Sequence, residues 1–249
     1  MKATIKAIGL RCFRYLVCLA VLSSVSMTAS TQVPELDSLR DARERMVRTQ
    51  IQNRGIEDQR VLRSLREVPR HLFIEESLWP RAYSDTPLPT SNGQTISQPY
   101  IVALMTELLE ADENDTVLEI GTGSGYQAAV LSGLVEHVYT IEIVPELGRS
   151  AEQALNRLGY ENVSVRIGDG YQGWPEHAPF DRIIVTAAPD EIPQALVDQL
   201  KPGGRMVLPV GSQVSYQELM VLEKDEAGNV STRSTIPVRF VPMVRDPGR

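Results

Sequence analysis

A short apolar run, Val117-Leu118-Glu119-Ile120, leads into Gly121-Thr122-Gly123-Ser124-Gly125-Tyr126, three glycines spaced by two. Residues without a Cβ let a chain turn sharply and lie close against a ligand. The pattern reads as a buried strand, a tight turn and the start of a helix. Val138-Tyr139-Thr140-Ile141 reads as a second buried strand, and Glu142 closes it. A carboxylate about 20 residues beyond a glycine turn is where nucleotide-binding α/β folds hold ribose hydroxyls. The chain is therefore expected to bind a nucleoside-containing cofactor.

The spacing narrows the choice of cofactor. In the dinucleotide fingerprint G-x-G-x-x-G, the third glycine follows the second by three. Here Gly121, Gly123 and Gly125 give G-x-G-x-G. The segment from Glu119 to Gly125 resembles the first-strand loop of S-adenosylmethionine-dependent methyltransferases, in which the loop passes the methionine part of the cofactor. A third strand, Val163 to Ile167, ends at Gly168-Asp169-Gly170. Asp169 can turn its carboxylate toward an adenine amino group. It is also a common turn residue, so a plain turn is the competing reading. Three strand ends in register would line one crevice, because ligands of open α/β sheets bind outside the carboxyl ends of the strands.

At 249 residues with 42% hydrophobic content, the chain can bury one large α/β core. Its formal charge of −7 disfavours a nucleic-acid substrate. Residues 1–30 carry four basic side chains, Lys2, Lys6, Arg11 and Arg14, and no acid. Tyr15 to Leu22 is an apolar run too short to span a membrane comfortably, and small residues follow it from Ser23 to Ser30. The segment reads as a secretory signal and favours an exported, periplasmic location. A cytoplasmic location is the alternative. Cys12 and Cys18 both lie in this segment, so the remaining domain has no cysteine chemistry. A chain starting at residue 31 is expected to keep the stability and the in-vitro activity of the full chain. An insoluble or markedly destabilised truncation would show that the segment packs on the domain.

Residues 31–249 read as a single domain, with N-terminal helices over 37–67 and a cofactor-binding core from about residue 93. Asp37 to Arg54 is rich in helix formers, and Gly55 stops it. Asp58 can cap a second helix with an apolar face of Val61, Leu62, Leu65 and Val68. The proline-rich span Trp79 to Asn92 reads as an ordered loop. Pro99 suits the first turn of a helix over Ile101 to Leu109. From Thr116 strand and helix patterns alternate, which argues for a parallel sheet. Pro145 opens the helix that Gly159 ends, Phe180 to Thr186 is a fourth strand, and Pro193 to Leu200 is a helix. Lys201-Pro202-Gly203-Gly204 reads as a turn into the strand Arg205 to Val210. Glu218 to Leu222 and Pro237 to Val241 read as two strands joined through Gly228-Asn229.

Four segments carry a more specific resemblance: Gly93 to Tyr100, Val117 to Tyr126, Gly168 to Trp174, and Pro179 to Ala188. With the tail Val238 to Pro242, they resemble the protein-L-isoaspartate (D-aspartate) O-methyltransferases from about Asp37 onward. The resemblance implies a class I S-adenosylmethionine-dependent methyltransferase fold. That fold is Rossmann-like, a mostly parallel sheet with helices on both faces and an antiparallel C-terminal strand pair. It implies methyl transfer from S-adenosyl-L-methionine to the free α-carboxylate of L-isoaspartyl residues, and more weakly D-aspartyl residues, in damaged proteins and peptides. The ester then cyclises to a succinimide, which opens partly to normal aspartate. It implies cofactor contacts at Gly121, Thr122, Gly123, Gly125, Glu142, Asp169 and Gly170, and Ser97 as the active-site serine. Thr95 is expected as a second contact, and Leu208-Pro209-Val210 would lie beside the peptide. The partners expected are isoaspartyl proteins, with no nucleic acid and no stable membrane association after processing; the chain is expected to be a monomer. The N-terminal segment departs from the family, whose typical members are cytoplasmic.

The residues agree with that chemistry. A carboxylate of pKa about 4 is already ionised at neutral pH and needs no general base. Catalysis then rests on alignment and exclusion of water. No Ser/His/Asp or metal cluster is apparent, and His71, His137 and His177 are scattered. Trp79 and Trp174 read as packing residues. Ser97 precedes Pro99 at a helix N-terminus, a place that favours anions, but capping of that helix by Ser97 or Gln98 is the competing reading. Three rivals remain. A nucleic-acid N-methyltransferase is disfavoured by Thr186-Ala187-Ala188-Pro189, an NAD oxidoreductase by the glycine spacing, and a non-catalytic relative by the intact site positions.

Overall fold

The computed structural model describes residues 34–90 and 93–245. The signal-like segment 1–30 and both cysteines lie outside the described residues. Helix α1 (Pro34–Met46) continues through a wide turn over Val47–Ile51 and a tight one over Gln52–Arg54. Gly55 ends the run at φ 97°, a left-handed conformation open to glycine. In α2 (Gln59–Glu67) the Asp58 side chain accepts from the N–H groups of Arg60 and Val61, so the cap falls where the residue pattern places it. Val61, Leu62 and Leu65 are buried against the core.

The span read as an ordered loop contains short regular elements. Glu76–Arg81 forms a 3-10 turn, and β1 (Leu88–Pro89) pairs antiparallel with β2 (Thr95–Ile96). This small hairpin carries Ser97 to the head of α3 (Pro99–Leu109).

Then follow β3 (Thr116–Ile120), α4 (Tyr126–Ser132), β4 (His137–Glu142), α5 (Pro145–Leu158), β5 (Val163–Ile167), β6 (Phe180–Val185), α6 (Gln194–Asp198), β7 (Leu200–Val210), β8 (Gln217–Lys224) and β9 (Val230–Val238). The sheet order is β5-β4-β3-β6-β7-β8-β9. All pairs from β5 to β7 are parallel, while β7-β8 and β8-β9 are antiparallel. The chain builds outward from β3 to β5, then crosses to β6 on the other side. The order reverses between β3 and β6, and that reversal opens a crevice at their carboxyl ends.

Side chains of the central strands alternate between two cores. Val117, Val138, Ile184 and Val207 join the larger core, which holds α2, α3 and α4. Leu118, Ile141, Ile183 and Leu208 join the second, with α6. Period-two alternation with both faces covered produces this division.

Two expectations about the C-terminal third need correction. Lys201 to Gly204 belongs to β7, as a bulge: Phe180 pairs with Leu200, but Arg182 pairs with Arg205. The last strand is Val230–Val238, not Pro237 to Val241. Phe240 leaves the ladder because the Gln217 side chain takes both of its backbone groups. Phe240 N donates to Gln217 Oε1 at 2.6 Å, and Gln217 Nε2 donates to Phe240 O at 3.2 Å. The chain then returns across the end of β6. Ala188 N donates to Val241 O and Met243 N to Ala188 O, each at 2.8 Å.

Candidate active site

The glycine loop is held by its neighbouring strands. Gly121 N donates to Ile141 O at 2.8 Å, and the Thr122 and Thr140 hydroxyls meet at 2.7 Å. The Thr186 hydroxyl donates to Gly121 O at 2.7 Å. Gly121 sits at φ 97°, and a Cβ there would lie 2.6 Å from Thr186 Oγ1, so only glycine fits. Gly125 answers a different need. At φ 88° it heads α4, and a Cβ would press on Leu155 at 3.3 Å, so it seats α4 against α5.

Glu142 ends β4 and is 6% exposed. Its Oε2 accepts from Gly123 N at 2.8 Å and its Oε1 from Val144 N at 3.0 Å. Both oxygens keep a lone pair, and the side chain lines a cavity at the carboxyl ends of β3, β4 and β6. Gly121, Thr122, Gly123, Glu142 and Gly170 all line that cavity. Ser97 and Thr95 line it from the hairpin side.

Gly125 and Asp169 are not among its lining residues. Asp169 Oδ1 accepts from Tyr171 N at 2.9 Å, capping the short 3-10 turn over Gly170–Gln172. This is the turn reading of that residue, and it leaves Oδ2 without a partner among the described residues. Leu208-Pro209-Val210 stands in β7, paired with β8, and is not among the residues lining the cavity that holds Ser97. His71 bonds Tyr83 through Nδ1 at 2.7 Å, His137 meets Ser164 at 2.9 Å, and His177 stacks on Tyr139. Trp79 packs edge-on to His71 and Trp174 edge-on to Tyr139.

The sequence reading missed the wall formed by Val241 to Val244. This strap is tied down where Tyr171 OH donates to Met243 O at 3.2 Å and the Arg245 guanidinium lies 3.9 Å above the Tyr171 ring. The tail's resemblance to a family segment was its only signal. A second groove runs beside the strap, lined by Pro87, Ile101, Pro237 and Arg239. It shares Thr95, Ser97, Thr186 and Val241 with the first cavity. Two openings therefore meet at Ser97.

Neither expected capping residue caps α3. Gln98 stands at the N-cap without a side-chain cap bond. The Ser97 hydroxyl makes no hydrogen bond among the described residues. Behind the loop, Glu119 is fully buried, and neither of its oxygens has a hydrogen-bond partner among the described residues. Burial pushes its carboxyl up to about 8; the Thr140 hydroxyl beside it works the other way, and the Glu142 charge adds to the rise.

A sheet that reverses at β3, with a glycine-lined cavity closed by a strand-end carboxylate, is the class I S-adenosylmethionine-dependent methyltransferase fold. Residues 41–247 match the family described as protein-L-isoaspartate(D-aspartate) O-methyltransferase (PCMT). The chain is 59% identical over 187 residues to protein-L-isoaspartate O-methyltransferase 1 of Cupriavidus necator, covering 75% of this chain and 72% of that protein. It is 54% identical over 201 residues to the protein-L-isoaspartate O-methyltransferase of Gloeobacter violaceus, covering 81% and 98%. It superposes on a beta-aspartate methyltransferase (PCMT) from Plasmodium falciparum in complex with S-adenosyl-L-homocysteine, with a TM-score of 0.70 at 25% identity. That match covers 82% of this chain and 99% of the other. The chain belongs to the protein-L-isoaspartate (D-aspartate) O-methyltransferase family.

Proposed function

We infer that this protein transfers a methyl group to the free α-carboxylate of L-isoaspartyl residues in damaged proteins and peptides, and more weakly to that of D-aspartyl residues. The observation that carries the reading is the Ser97 hydroxyl, unengaged among the described residues, where the cofactor cavity and the second groove meet. When bound, S-adenosylmethionine supplies a methyl on a positively charged sulfur, open to in-line attack by the acceptor carboxylate.

The residues present suit that cofactor. Glu142 offers acceptor lone pairs to a ribose diol, and the loop without Cβ atoms at Gly121 and Gly123 admits close approach. Gly170 borders the same cavity, next to Asp169, whose free Oδ2 suits an adenine amino group. The strap over Val241 to Val244 walls one side of the cavity, and excluding water there would favour the transfer. The acceptor enters along the second groove, and Ser97, with Thr95 beside it, orients its carboxylate. The carboxylate is itself the nucleophile, so Ser97 forms no covalent intermediate.

Labelled methyl transfer to an isoaspartyl peptide, against the normal aspartyl peptide, tests the reading; equal labelling of both would refute it. Ser97→Ala is expected to slow turnover roughly 5- to 150-fold, the loss of one to two hydrogen bonds, with the fold and cofactor affinity retained. Ser97→Thr should retain more. Intact-mass analysis during turnover should find no methylated serine, and wild-type kinetics in Ser97→Ala would return the residue to a structural role.

Among the described residues no helix is long and apolar enough to cross a membrane. The basic, apolar character of residues 1–30 supports export. The chain is proposed to act as a monomer.

A further inference from the structure

The head of α3 is capped from a distance. The first N–H groups of a helix lack partners inside it. Pro99 brings no N–H, and Ile101 and Val102 reach Gln98 O at 3.0 and 3.1 Å. Tyr100 N is left, and it donates to Asp85 Oδ1 at 3.1 Å. Asp85 Oδ2 accepts from Gln98 Nε2 at 2.7 Å and pairs with Arg54 Nη1 at 2.5 Å. The Arg54 guanidinium in turn lies 3.5 Å above the Tyr100 ring.

One carboxylate therefore binds the N-cap side chain, the first free N–H and a cation that covers the next side chain. Serine is among the preferred capping residues, and its hydroxyl competes for helix N–H groups when they are free. With Tyr100 N already satisfied, nothing in the first turn draws the Ser97 hydroxyl away from the two cavities. Asp85 also places negative charge at the positive end of the helix, where it is favourable.

We propose that Asp85 is a positioning residue for methyl transfer: it caps α3 in place of Ser97, so that the Ser97 hydroxyl stays at the junction of the cofactor cavity and the acceptor groove. The proposal rests on the reading of Ser97 given above. Without Asp85, Ser97 and Gln98 compete for the freed N–H of Tyr100, and the hydroxyl turns toward the helix.

The test is a double-mutant comparison on the full chain, with kcat and KM for an isoaspartyl peptide at saturating S-adenosylmethionine. Calorimetric affinity for S-adenosylhomocysteine and thermal midpoints are measured alongside. Asp85→Ala should lower kcat roughly tenfold while cofactor affinity changes by less than about threefold. Asp85→Asn keeps an acceptor for Tyr100 N and should recover part of the rate. In the Ser97→Ala background, Asp85→Ala should cost less than about a further threefold in kcat, because the group it positions is gone.

Independent losses that multiply in the double variant would overturn the proposal while leaving Ser97 its role. So would a thermal midpoint that drops while kcat holds. Wild-type kinetics in Ser97→Ala would instead remove the reading of Ser97 and the proposal with it. If Asp85→Ala does not fold, Asp85→Asn in the two backgrounds gives the same comparison.

Discussion

Glu142→Ala is expected to weaken cofactor binding by tenfold or more. A hydrogen bond to a charged group contributes roughly 1.5–3 kcal/mol, and a ribose diol can donate two of them. Each 1.4 kcal/mol is about tenfold in affinity. A second effect adds to the first. The same carboxylate accepts from Gly123 N and Val144 N, so it also holds the glycine loop against the end of β4. Glu142→Gln can accept through only one oxygen and must abandon either the loop or Val144, so it should fall between wild type and Ala. Calorimetry with S-adenosylhomocysteine on folded variants checks the order, and unchanged affinity in Glu142→Ala would remove the residue from the site.

Glu119→Gln is expected to change the pH dependence of stability. The Glu119 carboxyl is raised from 4.5 to about 8 in the folded protein, chiefly by burial. Between those values the native state holds a proton that the unfolded chain has released, so its stability falls as pH rises. His71 acts with the opposite sign. Burial, with the Arg43 charge adding, lowers its imidazole from 6.5 to about 4, so its part of the stability is lost as pH falls below 6.5. Burial lowers His137 as well.

The two slopes oppose each other below 6.5, and above it Glu119 acts without them. From pH 6.5 to 8 the Glu119 contribution amounts to roughly 2 kcal/mol. Urea midpoints for wild type should fall across this interval, and those of Glu119→Gln should stay level. Parallel profiles for the two proteins would show that Glu119 does not titrate there.

Much of the fold was legible because its signals are local. Asp58 caps a helix through N–H groups two and three residues on, Pro99 opens one, and Gly55 and Gly159 end two more in the left-handed conformation. Each choice depends on backbone groups within a turn of the residue itself. The strand-loop-strand unit from Val117 to Glu142 was legible for the same reason: two short apolar runs, a turn open to glycine and a carboxylate at the next strand end fall within one βαβ unit.

Tertiary structure decided the rest. Spacing does not separate a glycine that admits a ligand from one that admits a helix, and only the approach of Leu155 assigns Gly125 to the second kind. The true bounds of the last strand, Val230–Val238, were invisible, because Gln217, 23 residues from Phe240, takes that residue's backbone groups and turns the tail into a wall of the cavity. The same applies at Ser97. The sequence alone supplied a serine before a helix and could not separate cap from site, since the carboxylate that takes the free N–H of Tyr100 is Asp85, delivered by a different segment. Local propensity fixes which elements form and where they end. The availability of one hydroxyl or the burial of one carboxylate depends on which distant groups fill the space around it, and packing sets that.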